Sequence, residues 1–373
     1  MSVTSIVSVL AAVGVLALLI MVHEAGHFAA ARFQGIHATR FSIGFGPALW
    51  RYQGSRTEYA LRLLPLGGYV GFPDDDEESP YDPQDPDLLK NRPILDRAVV
   101  LSAGVLANLL FAYLALVVMV TATGIMVTQV HPGIMVPQVT LEGAAADAGM
   151  KPGDVILAAS TSQQRLDFEA LNTPGAASTA IQQLQTLVQQ GSPLTFTVSR
   201  PSVDQPLTLQ VVPRIGETVP VIGVGLGINQ ETLYQPAHNP QEVLREAARI
   251  YEQIVQMNVR GLTQLVTNFG RTAGQLAGPV GIVKIGADIA QSGSLGLFHF
   301  AALISINLAI LNLLPLPALD GGHLVFLILE AMRGKRLPRH LEERVMQTGL
   351  VFFLGLGVVL ILKDTVTIAV GAG

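Results

Sequence analysis

The 373-residue sequence contains no cysteine, and only 14% of its residues are charged. The first absence excludes disulfides and thiolate metal ligands, so any metal site must draw on histidine, carboxylate and water. The second separates the chain from soluble domains, in which about a quarter of residues are charged. Half of the residues are hydrophobic and the mean hydropathy is +0.45, the composition of an integral membrane protein with some soluble mass. A net charge of -5, with no basic patch interleaved with aromatics, argues against a nucleic-acid partner. Charge is missing altogether from Met1 to Val22, and the first basic residue is Arg32. Without a positive leading segment this run reads as a permanent span rather than a cleaved signal peptide. No Arg- and Ser-rich transit segment is visible, so a bacterial plasma membrane is the expected location.

The charge-free run leads directly into His23-Glu24-Ala25-Gly26-His27. H-E-x-x-H on a helix puts two imidazoles at i and i+4 on one face, about 5–6 Å apart at Cβ. Both can bind one zinc ion, with the glutamate as general base of a metalloprotease. The bland alternative is a satisfied polar cluster between helices. Intramembrane His and Glu are costly, however, and by default functional.

Four apolar segments predict about four transmembrane helices: 4–30, 98–123, 295–329 and 345–362. Pro315, Pro317 and Asp320-Gly321-Gly322 interrupt the third, which should be broken or kinked there, while Lys363 and Asp364 close the fourth. Lys and Arg cluster in 32–97 and again in 333–344, which places both connections in the cytoplasm. The termini and the 125–295 region then face the other side of the lipid bilayer. Residues 59–72, YALRLLPLGGYVGF, read as a membrane-associated β-hairpin, and the acidic, proline-rich 73–87 as a solvated loop without chemistry. The expected domains are an N-terminal membrane half at 1–124 and an α+β extracytoplasmic domain at 125–215. A connecting amphipathic-helix region at 216–294 and a C-terminal membrane half at 295–373 follow. Within the second, strands are expected at 194–198 and 207–212 with a helix at 179–189. A further helix at 240–270 carries Val243, Ala247, Ile250, Ile254 and Val255 at helical spacing and reads as a packing or membrane-surface element.

Two histidines leave a catalytic zinc short of a ligand, since such sites take three from the protein and keep one position for water. Among carboxylates inside apolar sequence, Asp320 is the leading candidate, and His323 is its rival three residues on.

These residues belong to a wider pattern: HEAGH at 23–27, FGP at 45–47, LPLGGYV at 64–70, LDR at 95–97, AGVLANLLFA at 103–112, GPVGI at 278–282 and NLLPLPALDGGH at 312–323. In that set and order the chain resembles the site-2 protease family of intramembrane zinc metalloproteases, most closely its bacterial regulator-of-sigma-factor group. The resemblance implies that His23, His27 and Asp320 hold Zn2+, that Glu24 is catalytic and that Asn312 contacts the substrate backbone. It further implies that LPLGGYV, with Gly67, Gly68 and Tyr69, forms a membrane-dipping hairpin whose edge strand guides a transmembrane protein substrate. Family members usually carry proline where Val105 follows Gly104; Gly104 and Asn108, suited to close helix packing, remain. Residues 142–156 resemble a PDZ domain, in a single copy. Its Gly225-Leu226-Gly227 follows that stretch instead of preceding it, so peptide capture and a size filter for bulky ectodomains are equal readings. Pre-trimmed anti-sigma factors and remnant signal peptides are the implied substrates, and the sequence does not define an oligomeric state. The competing class is a PDZ-bearing membrane scaffold or chaperone without activity, which the presence of His23, Glu24, His27 and Asp320 disfavours.

Overall fold

A computed structural model describes residues 3–75, 79–201, 203–215, 219–272, 274, 276–293 and 295–371. The chain forms two compact units, one from Met1–Gly124 with Pro236–Gly373, the other from Ile125–Gln235.

The first unit begins with helix α1 (Val3–Phe33), in which the zinc-motif histidines lie close to the C-terminal end. Two long strands follow, β1 (Arg40–Gln53) and β2 (Glu58–Gly71), and then helix α2 (Ile94–Thr123). The expected hairpin at 59–72 is corrected here. Its two arms, 58–61 and 68–71, do not pair with each other; residues 40–43 lie between them. Ile43 pairs with both Gly68 and Leu61, and Tyr52 pairs with Tyr59, so the arms run in the order 68–71, 40–43, 58–61, 50–53. The strand that fills the gap between the arms comes from earlier sequence. Of the acidic stretch, residues 76–78 lie outside the described residues.

The second unit is built on strands β3 (Ile125–Val139), β4 (Val155–Ser160), β5 (Arg165–Asp167), β6 (Leu194–Arg200), β7 (Val203–Val211) and β10 (Val224–Gln235). Short α3 (Ala144–Asp147), helix α4 (Pro174–Gln189) and the small pair β8 (Arg214–Ile215) and β9 (Pro220–Val221) complete it. The main sheet runs β10-β3-β4-β6-β7, with β5 beside β4. The boundary expected at residue 215 is therefore too early. β10 pairs with β3 from Val224↔Val139 to Gln235↔Ile125, and only this last strand closes the sheet. Ile134, Ile156, Phe168, Leu184, Leu194 and Phe196 are completely or almost completely buried between α4 and the sheet.

The chain then returns to the first unit through α5 (Pro240–Thr267), capped by the Asn239 side chain, which accepts from the Glu242 amide at 2.9 Å. Short α6 (Phe269–Thr272), α7 (Pro279–Ser292), α8 (Gly296–Leu313), α9 (Asp320–Arg333) and α10 (Arg339–Gly371) follow. Helices α1, α2, α8 and α10 are long and apolar enough to cross a membrane. The third apolar segment is thus two helices, not one kinked span. α8 stops at Leu313 because Leu314, preceding Pro315, is extended. The fourth continues past its expected end at Leu362. Buried Asp364 accepts from the amides of Gly278 and Gly281 at the start of α7, and Lys363 donates to the carbonyls of Gly274 and Leu276. The charges are absorbed by partners, so they do not end the helix.

Candidate metal centre

Helical spacing sets His23 and His27 one turn apart on α1, and both are buried. Their rings meet edge to face with centroids 4.7 Å apart, and the two Nε2 atoms are 3.2 Å from one another. Helix α2 crosses close by because small residues face the site. A Cβ on Gly26 would lie 2.5 Å from the Ala103 carbonyl oxygen. A Cβ on Gly104 would fall on His27 Nε2 and lie 2.8 Å from His23 Cε1. The position therefore needs glycine for the imidazoles to converge.

Asp320 arrives as the first residue of α9. The α8–α9 connection doubles back tightly, with Ala318 left-handed at φ 68°. A Cβ on Gly321 would strike the Leu314 carbonyl oxygen, and one on Gly322 the Leu316 carbonyl oxygen. The two glycines after the aspartate thus let α9 begin against the loop. At the other end of α9, Glu330 meets Arg97 of α2 at 2.6 Å, with both side chains largely buried. This ion pair ties α9 to the helix that lines the histidines.

Asp320 Oδ2 stands 3.2 Å from His23 Nε2 and 3.5 Å from His27 Nε2. It is buried and makes no hydrogen bond with any described residue. His323, the rival, points instead toward Glu342 of α10. Each imidazole is held by its far nitrogen: His27 Nδ1 donates to the Val100 carbonyl at 2.7 Å, and His23 Nδ1 lies 3.2 Å from Asn108 Nδ2. Asn312, at the end of α8, brings its Nδ2 to 3.5 Å from His23 Nε2. Two ring nitrogens facing each other beside a carboxylate oxygen place three potential metal ligands in one buried spot. One oxygen and two nitrogens within 4.8 Å form a donor set that zinc fits.

Glu24 is on the adjacent part of the helix surface, where arm 68–71 passes. A Cβ on Gly68 would come within 2.8 Å of Glu24 Cγ, and the Val70 backbone N–H faces the Glu24 carboxylate. Gly67 has φ 136°, a value suited to glycine. Tyr69 points elsewhere: its hydroxyl accepts from Arg62 Nη2 at 3.3 Å. The structure thus brings His23, Glu24, His27, Asp320, Asn312 and Gly68 together. It adds Val100, Gly104 and Asn108, which sequence reading had assigned to packing or left unassigned. A motif of small and polar residues on α2 was the available signal; its direction toward the histidines was not.

The profile of Peptidase family M50 matches residues 11–356. A Nostoc sp. protein named among the zinc metalloproteases is 51% identical over 362 residues, spanning 96% of each chain. The membrane metalloprotease ARASP, chloroplastic, of Arabidopsis thaliana is 42% identical across 97% of this chain and 79% of its own. Zinc metalloprotease RasP of Geobacillus kaustophilus is 27% identical, again over 96% of each.

Proposed function

This chain belongs to peptidase family M50, the site-2 zinc metalloproteases of membranes, and from that premise we propose that it cleaves transmembrane segments of single-pass membrane proteins. His23, His27 and Asp320 hold the zinc, and Glu24 is the general base. The observation that carries this reading is the convergence of those donors on helices whose sequence is apolar enough to cross a bilayer.

Bound zinc supplies Lewis acidity, which polarises the scissile carbonyl and makes water a nucleophile near neutral pH. Glu24 takes the proton of the attacking water and returns it to the leaving amine nitrogen. Asn312 Nδ2 donates to the oxygen that gains charge as the carbonyl becomes tetrahedral. A helical substrate satisfies its own backbone and must first unwind locally. Arm 68–71, at an edge of the small sheet and beside Glu24, offers backbone pairing to the unwound stretch. The Lys and Arg excess in 32–97 and 333–344 supports a cytoplasmic side for this sheet. Likeness to the Nostoc protein supports a bacterial membrane.

Residues 125–235 read as PDZ-like. Gly225-Leu226-Gly227 lies on the outermost strand, β10, and α4 packs against that strand, an arrangement suited to strand addition by a peptide. Equal binding of a peptide with a free and an amidated C-terminus would rule out carboxylate capture.

The main test co-expresses a tagged single-pass substrate, its ectodomain already truncated, with wild type or Glu24→Gln. A shorter fragment formed by wild type alone, with zinc retained by both, is the expected result. A fragment formed equally by Glu24→Gln would refute the assigned base. Retention of zinc by His27→Ala would refute the ligand set.

A further inference from the structure

Asn108 is completely buried on α2, and its amide meets His23 on the side away from the proposed metal position. In the orientation described, Nδ2 donates to His23 Nδ1 at 3.2 Å, while Oδ1 is buried without a partner among the described residues. An imidazole that accepts at Nδ1 carries its proton on Nε2. That proton then points into the space shared with His27 Nε2 and Asp320 Oδ2, each of which lies 3.2 Å from His23 Nε2. It fills the lone pair that a metal needs.

A zinc ion on His23 Nε2 requires the other tautomer, with the proton on Nδ1 and an acceptor facing it. For His27 the Val100 carbonyl is that acceptor. For His23, Asn108 provides one by turning its amide half a revolution, which exchanges Nδ2 and Oδ1 with almost no change in volume. The position of the histidine proton selects between the two orientations. The backbone of Asn108 stays in place throughout, held by Ser305 Oγ of α8, which donates to its carbonyl at 2.8 Å.

We propose that Asn108 is a positioning residue for the metal: its side-chain oxygen accepts from His23 Nδ1–H in the zinc-loaded protein and so presents the Nε2 lone pair to the ion. Metal-bound histidines take such outer partners generally, and losing one weakens metal binding by about 10–100-fold. The proposal rests on His23 being a ligand, and the measurements separate the two.

Zinc affinity is read on the purified full-length protein by competition with a fluorescent chelator, for wild type, Asn108→Asp, Asn108→Leu and His23→Gln. Asp keeps an acceptor in the same shape; Leu keeps the volume but no acceptor. Asn108→Leu is expected to bind zinc about 10–100-fold more weakly, and Asn108→Asp to stay within about threefold of wild type. A packing role gives the reverse order, because Leu fills a buried site better than a carboxylate. Wild-type affinity in Asn108→Leu, or an equal loss in Asn108→Asp, overturns the proposal. Unchanged affinity in His23→Gln overturns the ligand assignment instead. A second readout does not depend on any Asn108 variant folding: the 15N spectrum of zinc-loaded wild type, with His23 assigned against His23→Gln. A directly bonded proton on Nδ1 is expected; a bare Nδ1 refutes the proposal.

Discussion

In the membrane unit half of the buried residues along α1, α2 and α8 are alanine, glycine or serine, among them Ala12, Ala31, Ala112, Ala301, Ala302 and Ala309. In the inserted unit large side chains are more frequent, among them Phe168, Phe196, Leu184, Leu187 and Leu194, beside alanines such as Ala145 and Ala159. Lipid gives apolar side chains no reason to leave it, so helices within it associate by close backbone approach and by polar contacts. Water gives that reason, and the sheet-and-helix unit responds with a packed apolar core. One unit is therefore sensitive to added atoms and the other to lost ones. Buried polar groups follow the same division. Around the proposed metal centre they converge on one another from α1, α2 and α9, whereas in the inserted unit Asp154 accepts from Arg200 Nε and Nη2 at 2.7 and 2.8 Å and serves the fold.

The largest effect is expected from a single methyl group. Gly104→Ala would put a Cβ on His27 Nε2, and zinc affinity should fall by about 100-fold or more, with proteolysis lost and hydrogen exchange of β6 unchanged. Wild-type zinc affinity would break the comparison at its strongest point.

The opposite change in the other unit comes next. Phe196→Ala, at a fully buried position, should cost about 3–5 kcal/mol, read as lost exchange protection in β4 and β6 with zinc affinity unaltered.

Removing the partner of a buried charge should be comparable. Arg200→Met leaves Asp154 unpaired and should cost about 3–5 kcal/mol. Burial alone pushes the Asp154 carboxyl up, but the hydrogen bonds from Arg200 and the Lys151 amide outweigh it, and its pKa lies below the usual carboxylate value. A carboxylate depressed in the folded state contributes stability above its unfolded pKa of about 3.9 and loses it as pH falls through the folded value. Melting of the inserted unit should thus shift down on acidification below about pH 4. Asp154→Asn should flatten that dependence, and an equal acid shift in both proteins would assign it elsewhere.

The smallest effect sharpens the glycine comparison. Gly149 has φ 84° with open space where a Cβ would go. Gly149→Ala should cost only the conformational penalty of about 1–2 kcal/mol, measured by thermal unfolding, with no effect on zinc.

The local parts of this molecule were legible in its residues. Charge-free runs mark α1, α2 and α8, and the i, i+4 spacing of His23 and His27 puts both on one helical face without reference to anything else. Apolar periodicity marks α5, and β-prone runs mark β6 and β7. These are periodicities of the backbone, which a few consecutive residues are enough to express. Tertiary structure decided what depends on distant partners. Residues 40–43 separate two arms that sequence reading had joined, and β10 carries the inserted unit on to Gln235. Asp364 ends as a buried acceptor within a continuing helix, and His323 faces Glu342 while Asp320 reaches the imidazoles. Above all, a glycine and an asparagine of α2, four residues apart, sit over His27 and behind His23. No pattern along the chain carries that information, because hydrogen bonds and steric contacts between helices depend on how the helices cross.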